Sequence, residues 1–254
     1  MHETVATTFD AFIRNYISEV EHFSVLEVGS ANVNGGLRDH KLPNMDWVGV
    51  DLVNGSGVDH VIKMGDKLPF NNNSFDLLIA SSVFEHDVQF WNTFLEMARV
   101  LKSEGLLLLV MPSQGSFHRF PLDAFRFYPD AGTALEKWGQ YCGVPIKLIE
   151  SFTTPPKNDV WADFVAIFSF SPKIFEDCRI GGLLEGENWI FNGELQFDTY
   201  QEKPFELRKI QELEKVNSDT LEELLRMKGN LATILNSRSW RMTKPLRFVR
   251  SWFK

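Results

Sequence analysis

The sequence predicts an α/β protein: a doubly wound, mostly parallel sheet with a C-terminal helical extension. Three observations carry this. Apolar runs of strand length alternate with segments of helical periodicity, the pattern of a parallel sheet covered on both faces. Val25–Val28 runs straight into Gly29, a residue free to take backbone angles closed to others. Asp51 closes the next apolar run, Trp47-Val-Gly-Val, about 20 residues on, as in a nucleoside-binding βαβ unit. No G-x-G-x-x-G can be written across the loop, which excludes the dinucleotide fingerprint.

Phe9, Phe12, Ile13, Tyr16 and Ile17 recur at helical spacing and predict an amphipathic helix lying on the sheet. Strands are expected near 24–29, 47–52, 58–63, 75–80, 105–111, 145–151 and 161–170. Helices fall between several of them, notably at 89–101 and 130–141. In such a sheet, ligands bind at the carboxyl ends of the strands. Gly29, Asp51, Asp66 and Ser81 all fall at or just past such ends, and Asp51 is placed to accept hydrogen bonds from a ribose diol.

Four blocks then follow in order. The first is Val25-Leu-Glu-Val-Gly-Ser-Ala31, continuing as Asn32-Val-Asn-Gly-Gly36. The second is Leu68-Pro-Phe70 with Ser74-Phe-Asp76. The third is Val83-Phe-Glu-His86, and the fourth runs from Arg99-Val-Leu-Lys102 through Gly105. In order and spacing they resemble class I S-adenosylmethionine-dependent methyltransferases of the type 11-like subgroup, over roughly residues 20–170. Motif I of that family is Glu/Asp-x-Gly-x-Gly; here it reads Glu27-x-Gly29-x-Ala31, with alanine for the second glycine. The resemblance implies S-adenosyl-L-methionine as cofactor, held by Glu27, Gly29, Ser30, Ala31, Asp51, Leu52, Gly65, Asp66 and Ser81. Members usually place an aspartate four residues before Leu68. Met64 stands there, so Asp66 would reach the adenine only through a shift of one or two residues in the loop; otherwise it is a surface acid.

Transfer to a hydroxyl needs a base for its proton. His86, after the fourth strand, and His118, after the fifth, are the candidates. The alternative for His86 is a structural role or a pocket wall. Glu85 beside it would orient the ring or bind a substrate hydroxyl. His118 opens a stretch resembling the subgroup's His-x-x-Pro-x-Asp-x-x-Arg-Phe, matched by Pro121, Asp123, Arg126 and Phe127. It suits a polar acceptor; an Asp123–Arg126 pair that only pins a loop is equally compatible.

The 254 residues are 44% hydrophobic, enough for one large core with an appendage, and the net charge of −8 argues against general nucleic-acid binding. Cys142 and Cys178 have no metal-ligand spacing and read as unpaired thiols of a reducing compartment; no metal is expected. The N-terminus carries no basic-then-apolar signal, and the run Gly105–Pro112 is too short to span a bilayer. A cytoplasmic catalytic domain, residues 1–170, is therefore expected. Residues 171–204 mix glycines with aromatics and are either an extra packing layer or a substrate-side cover.

In 205–236, Ile210, Leu213, Asn217, Thr220, Leu224, Met227, Leu231 and Ile234 alternate at spacings of three and four. This predicts either a short coiled coil that joins a homodimer or a single amphipathic helix lying on its own domain. The tail, 237–254, is basic and aromatic. Arg238, Arg241, Lys244, Arg247, Arg250 and Lys254 interleave with Trp240, Phe248, Trp252 and Phe253, with no acid among them. It suits the inner membrane surface or an acidic partner protein. Its wording also resembles tails of bacterial enzymes of surface-polysaccharide assembly. The expected acceptor is therefore a sugar or glycan-linked hydroxyl. The alternatives are a small-metabolite or lipid methyltransferase, and a non-catalytic scaffold that keeps the fold.

Overall fold

The computed structural model describes residues 3–17, 21–32, 35–156, 161–202 and 205–243. The chain forms two compact units, Met1–Glu202 and Lys203–Lys254.

The first unit is built on a nine-stranded sheet of order β3-β2-β1-β4-β5-β7-β6-β8-β9. The strands are β1 (Phe23–Val28), β2 (Met45–Asp51), β3 (His60–Val61), β4 (Phe75–Ser81), β5 (Leu101–Gln114), β6 (Lys147–Thr153), β7 (Ala162–Ser169), β8 (Glu187–Phe191) and β9 (Glu194–Leu195). β1 pairs in parallel with both β2 and β4, β2 with β3, and β4 with β5; β7 runs antiparallel to β5 and β6. The order reverses between β1 and β4, and that switch point opens a crevice at their carboxyl ends.

Both faces of the central strands are covered. Leu77 and Ile79 of β4, with Leu108 and Val110 of β5, pack under α1 (Glu3–Tyr16) through Phe9 and Phe12. Leu78, Ala80, Leu107 and Leu109 face the other way, toward α2 (Phe90–Val100) and α3 (Asp130–Tyr141) through Phe94, Met97 and Leu135. Fully burying each such leucine or phenylalanine stabilises the fold by about 1.5–3 kcal/mol. The seven expected strands and the two named helices are present. Among the described residues between β1 and β2 there is a single 3-10 turn, Leu37–His40.

Two of the sequence blocks are struts. Arg99, on α2, donates to the carbonyls of Leu68 (3.0 Å) and Phe70 (2.9 Å), while Glu96 accepts from the Leu68 amide (3.0 Å). Asp76 ties three strands, accepting from the Ser24 amide (2.9 Å) and from Lys102 Nζ (2.8 Å).

Residues 171–200 extend the sheet. β8 pairs with β6, and Asn192-Gly193 turns the chain into β9 with φ of 49° and 82°, the angles of a type I′ hairpin. Glu150 of β6 fastens this layer. It is fully buried, and its carboxyl oxygens contact the Tyr16 hydroxyl (2.8 Å), the Ile180 and Gly181 amides (2.8 and 3.0 Å) and the Trp189 indole N–H (2.8 Å). Burial raises both Glu150 and Tyr16 above their ordinary values. The Tyr16 hydroxyl, the donor, lies 2.8 Å from both Glu150 Oε1 and the Cys178 carbonyl.

In the second unit, α4 (Phe205–Asn236) is followed by α5 (Arg238–Met242), capped by Ser237. Ile210, Leu213, Leu224, Met227, Leu231 and Ile234 of α4 are all exposed. Among the described residues no helix is long and apolar enough to cross a membrane. The tail's Trp252 and Phe253, with all of 244–254, lie outside the described residues.

Replacing Glu150 by Ala strands three N–H donors and is expected to cost about 3–5 kcal/mol in denaturant unfolding. Glu150→Gln keeps most of the acceptors and should cost about 1–3 kcal/mol. Limited trypsin digestion of the alanine variant should open first at Lys173 and Arg179.

Buried carboxyls also set a pH dependence. Desolvation pushes Asp163 up to about 6, Glu27 to about 7 and Glu85 to about 8, and raises Glu150. Each keeps its proton in the folded chain where the unfolded chain has lost it, so stability falls as pH rises from about 5 to 8. His86, lowered by burial, opposes this as one group against four. Asp59, Asp76, Glu96 and Asp123 are held low by their partners and lose their contribution as pH falls below about 4. Thermal melts should show a midpoint at least about 4 °C lower at pH 8 than at pH 5, with a shallower slope in Glu85→Gln.

Candidate functional site

The carboxyl ends of β2, β1 and β4 bring Asp51, Gly29 and Ser81 to one edge. Gly29 has φ +80° and donates to the Val50 carbonyl (2.9 Å). The space a Cβ would take there is filled by Val83, whose Cγ2 lies 2.2 Å from the ideal position. The glycine thus admits a side chain of the protein, not open space for a ligand. Asp51 accepts from the Ala31 amide (2.9 Å) through one oxygen and from the Leu52 and Val53 amides (2.6 and 3.3 Å) through the other. It therefore braces the glycine turn, and a carboxylate has about four acceptor sites, so capacity for a diol remains.

Ser30 is buried: a Cβ at Gly49 would collide with its hydroxyl (2.5 Å) and one at Gly57 with its carbonyl oxygen (2.6 Å). Glu27 lies deeper, 6% exposed, accepting from the Trp47 indole (2.9 Å). Leu52 is exposed beside Asp51. Gly65 takes φ +80° in the turn after β3, and Asp66 is exposed on that turn, its amide bonded to the Lys63 carbonyl (3.0 Å). Ser81 is half-buried, and the next residue, Ser82, is held at φ +53°, a strained angle for a non-glycine residue. Val33 and Asn34 of the first block lie outside the described residues.

Beyond β4 the chain makes a tight turn, with the His86 amide on the Val83 carbonyl (3.0 Å), that sends Glu85 inward and His86 toward the edge. The segment after β5 folds back over this turn: the Ala124 amide donates to the Glu85 carbonyl (2.8 Å). His118 and His86 thereby meet edge to face, ring centroids 5.0 Å apart, although 32 residues separate them in the chain.

His86 donates Nδ1–H to the Leu122 carbonyl, and burial holds the ring below the usual histidine value, so it is neutral with a free lone pair on Nε2. That nitrogen lies 3.6 Å from Glu85 Oε1. Glu85 is 0% exposed, and desolvation makes it a neutral acid at pH 7. Asp123 lies close by but is bonded bidentately to Arg126 and accepts from the His118 amide (2.8 Å), which holds it well below the usual carboxylate range. The Asp123–Arg126 pair pins the loop.

One neighbour escaped the sequence reading. Trp161 packs on His118 (5.5 Å, edge to face) and occupies the space beside Gly115, where a Cβ would sit 2.1 Å from its ring. Gly115 lies 46 residues before Trp161 in the chain, so the sequence does not join them.

Residues 43–109 match the family described as "Methyltransferase domain". No curated protein matches the sequence. Among solved structures, the chain is similar to the 1,6-didemethyltoxoflavin-N1-methyltransferase of Burkholderia thailandensis (11% identity, 65% of this chain and 78% of that one, TM-score 0.47). It is also similar to the YcgJ protein of Bacillus subtilis (13%, 66% and 99%, 0.46) and to a SAM-dependent methyltransferase of Aquifex aeolicus (15%, 65% and 88%, 0.42). None is similar enough for its activity to be read across. The family match runs from β2 into β5 of the sheet described above and supports a methyltransferase with S-adenosyl-L-methionine as its methyl donor.

Proposed function

We propose that the chain methylates a hydroxyl of a sugar or glycan-linked acceptor in bacterial surface-polysaccharide assembly. The observation that carries this reading is the convergence of Glu85, His86 and His118 just past β4, beside the β1/β4 switch point. In the proposed reaction the acceptor oxygen attacks the sulfonium methyl, the C–S bond breaks as the C–O bond forms, and the hydroxyl proton leaves to a base. His118 is the more accessible imidazole; its Nδ1 faces the Ser116 carbonyl (3.1 Å), which leaves Nε2 to accept that proton. His86 and the neutral Glu85 line the same pole and offer one acceptor and one donor to neighbouring hydroxyls. Asp51 receives the ribose diol, with Gly29, Ala31, Leu52 and Ser81 around it and Asp66 toward the adenine. Glu27 and Ser30 support this turn from below.

The second unit is proposed as the tether. Assigning Ile210, Asn217, Leu224 and Leu231 to a positions and Leu213, Thr220, Met227 and Ile234 to d gives four heptads. In a parallel, in-register dimer the flanking g and e positions then pair Lys209 with Glu214 and Glu223 with Lys228, and Asn217 meets its own copy. The basic, aromatic tail beyond would lie on an anionic membrane surface at the cytoplasmic side.

Asp51→Ala should weaken S-adenosylmethionine binding by about 1–3 kcal/mol in calorimetry, with circular dichroism unchanged. Unaltered affinity removes Asp51 from the site.

His118→Ala should lower turnover by about 10²–10⁴ while leaving cofactor affinity at the wild-type value. Equal loss of both would assign the residue to folding.

Sedimentation and vesicle flotation divide the second unit. Deletion of 237–254 should abolish binding to anionic vesicles and keep the dimer, whereas deletion of 205–254 should give a monomer. A full-length monomer at micromolar concentration would end the coiled-coil reading.

A further inference from the structure

Glu85, His86 and His118 each bring a donor atom to one point, all three within 4.8 Å of one another. Their surroundings are those of metal ligands. Both imidazoles are pinned through Nδ1 to a backbone carbonyl, His86 to Leu122 and His118 to Ser116. Metal-ligating histidines are oriented in this way, with the second nitrogen left unprotonated for the ion. Glu85 is fully buried, and neither carboxyl oxygen has a hydrogen-bond partner. Buried polar groups are nearly always partnered, and the groups facing this one are nitrogens whose lone pairs are free. What would satisfy all three at once is a cation.

We propose that Glu85, His86 and His118 bind a divalent transition-metal ion. Two imidazole nitrogens and one carboxylate oxygen select ions such as zinc or cobalt over calcium or magnesium, which take oxygen ligands. With ligand bonds of about 2.0–2.2 Å, the donors need to close by only about 1 Å, and Glu85 and His86 already stand 3.6 Å apart. His118, 37% exposed at its side chain, is the entry side. Glu85 loses its proton to solvent as the ion binds, and three protein ligands leave open positions on the ion.

One consequence rests on the methyltransferase reading given above. With the ion bound, an acceptor hydroxyl takes an open position, its proton leaves to water, and the cation stabilises the alkoxide that attacks the methyl group. The His118 lone pair then holds the ion instead of the proton. The oxidation state of the ion does not change.

The test uses full-length protein stripped with a chelator and titrated with cobalt(II), read by visible absorption and by equilibrium dialysis. One ion per chain is expected, with ligand-field bands that zinc bleaches. Glu85→Gln and His118→Ala should each weaken binding at least tenfold, while His22→Ala, a surface histidine paired with Asp46, should not. Absence of a stoichiometric site in the wild-type protein overturns the proposal, as does unchanged binding in both variants. Should a variant misfold, zinc-induced shifts of the His86 and His118 ring signals in the wild-type protein decide; rings that do not respond overturn it too. Calorimetry with S-adenosylmethionine on the same samples reports separately on the methyltransferase reading, so a failure of either is seen without the other.

Discussion

Leu77, Leu78, Ile79 and Ala80 are all closed to water, and so are Leu107, Leu108 and Leu109 beside them. The central strands therefore have no face on which a polar side chain can be solvated. Chemistry is displaced to the strand ends, where the chain leaves the sheet. The reversal of strand order between β1 and β4 sends neighbouring connections in opposite directions there, and Asp51, Gly29, Ser81 and Glu85 all lie along that edge. Any polar group kept within the layers has to find its partners inside the protein.

Three buried glutamates meet that demand differently. Glu27 has the Trp47 indole. Glu150 has a full shell drawn from α1, the 180–181 turn and β8, which is why a layer of glycines and aromatics can settle on the sheet edge. Neither carboxyl oxygen of Glu85 has a hydrogen-bond partner. A bare buried carboxyl costs about 1–3 kcal/mol in desolvation. That contrast, between carboxyls the fold has satisfied and one it has not, separates architecture from site.

The sequence made the strands legible because strands buried on both faces are written as continuous apolar runs. It also made the blocks legible, but not their work. Leu68-Pro-Phe70 and Arg99 are bonded to each other, and Ser74-Phe-Asp76 and Lys102 share a strut to Ser24; their regular spacing reflects packing of the sheet and α2. Asn192-Gly193 is a two-residue hairpin signal, hidden in the sequence among neighbouring glycines and aromatics. The backbone freedom of Gly29 is visible in the sequence, but that Val83 fills the space beside it is not. Nor could it bring His118 to His86. That meeting depends on the return of the 116–127 segment over β4, which is fixed by the Ala124 amide on the Glu85 carbonyl and by Asp123 on Arg126.

The two acids of this corner are driven to opposite states. Asp123 receives a guanidinium and a backbone amide and is held ionised; Glu85, a turn away in space, receives neither and is held neutral. Environments that push neighbouring carboxyls apart are how one site keeps a fixed charge and a spare proton together. The fixed charge holds the loop that carries His118, whose Nδ1 bonds the Ser116 carbonyl at 3.1 Å and lies 3.5 Å from Asp123. The spare proton sits where it can leave to solvent when a cation displaces it, or pass to a substrate oxygen, without breaking any bond that the fold relies on. Asp123 thus serves position, and in the proposed site Glu85 serves exchange, with His86 Nε2 3.6 Å from its carboxyl.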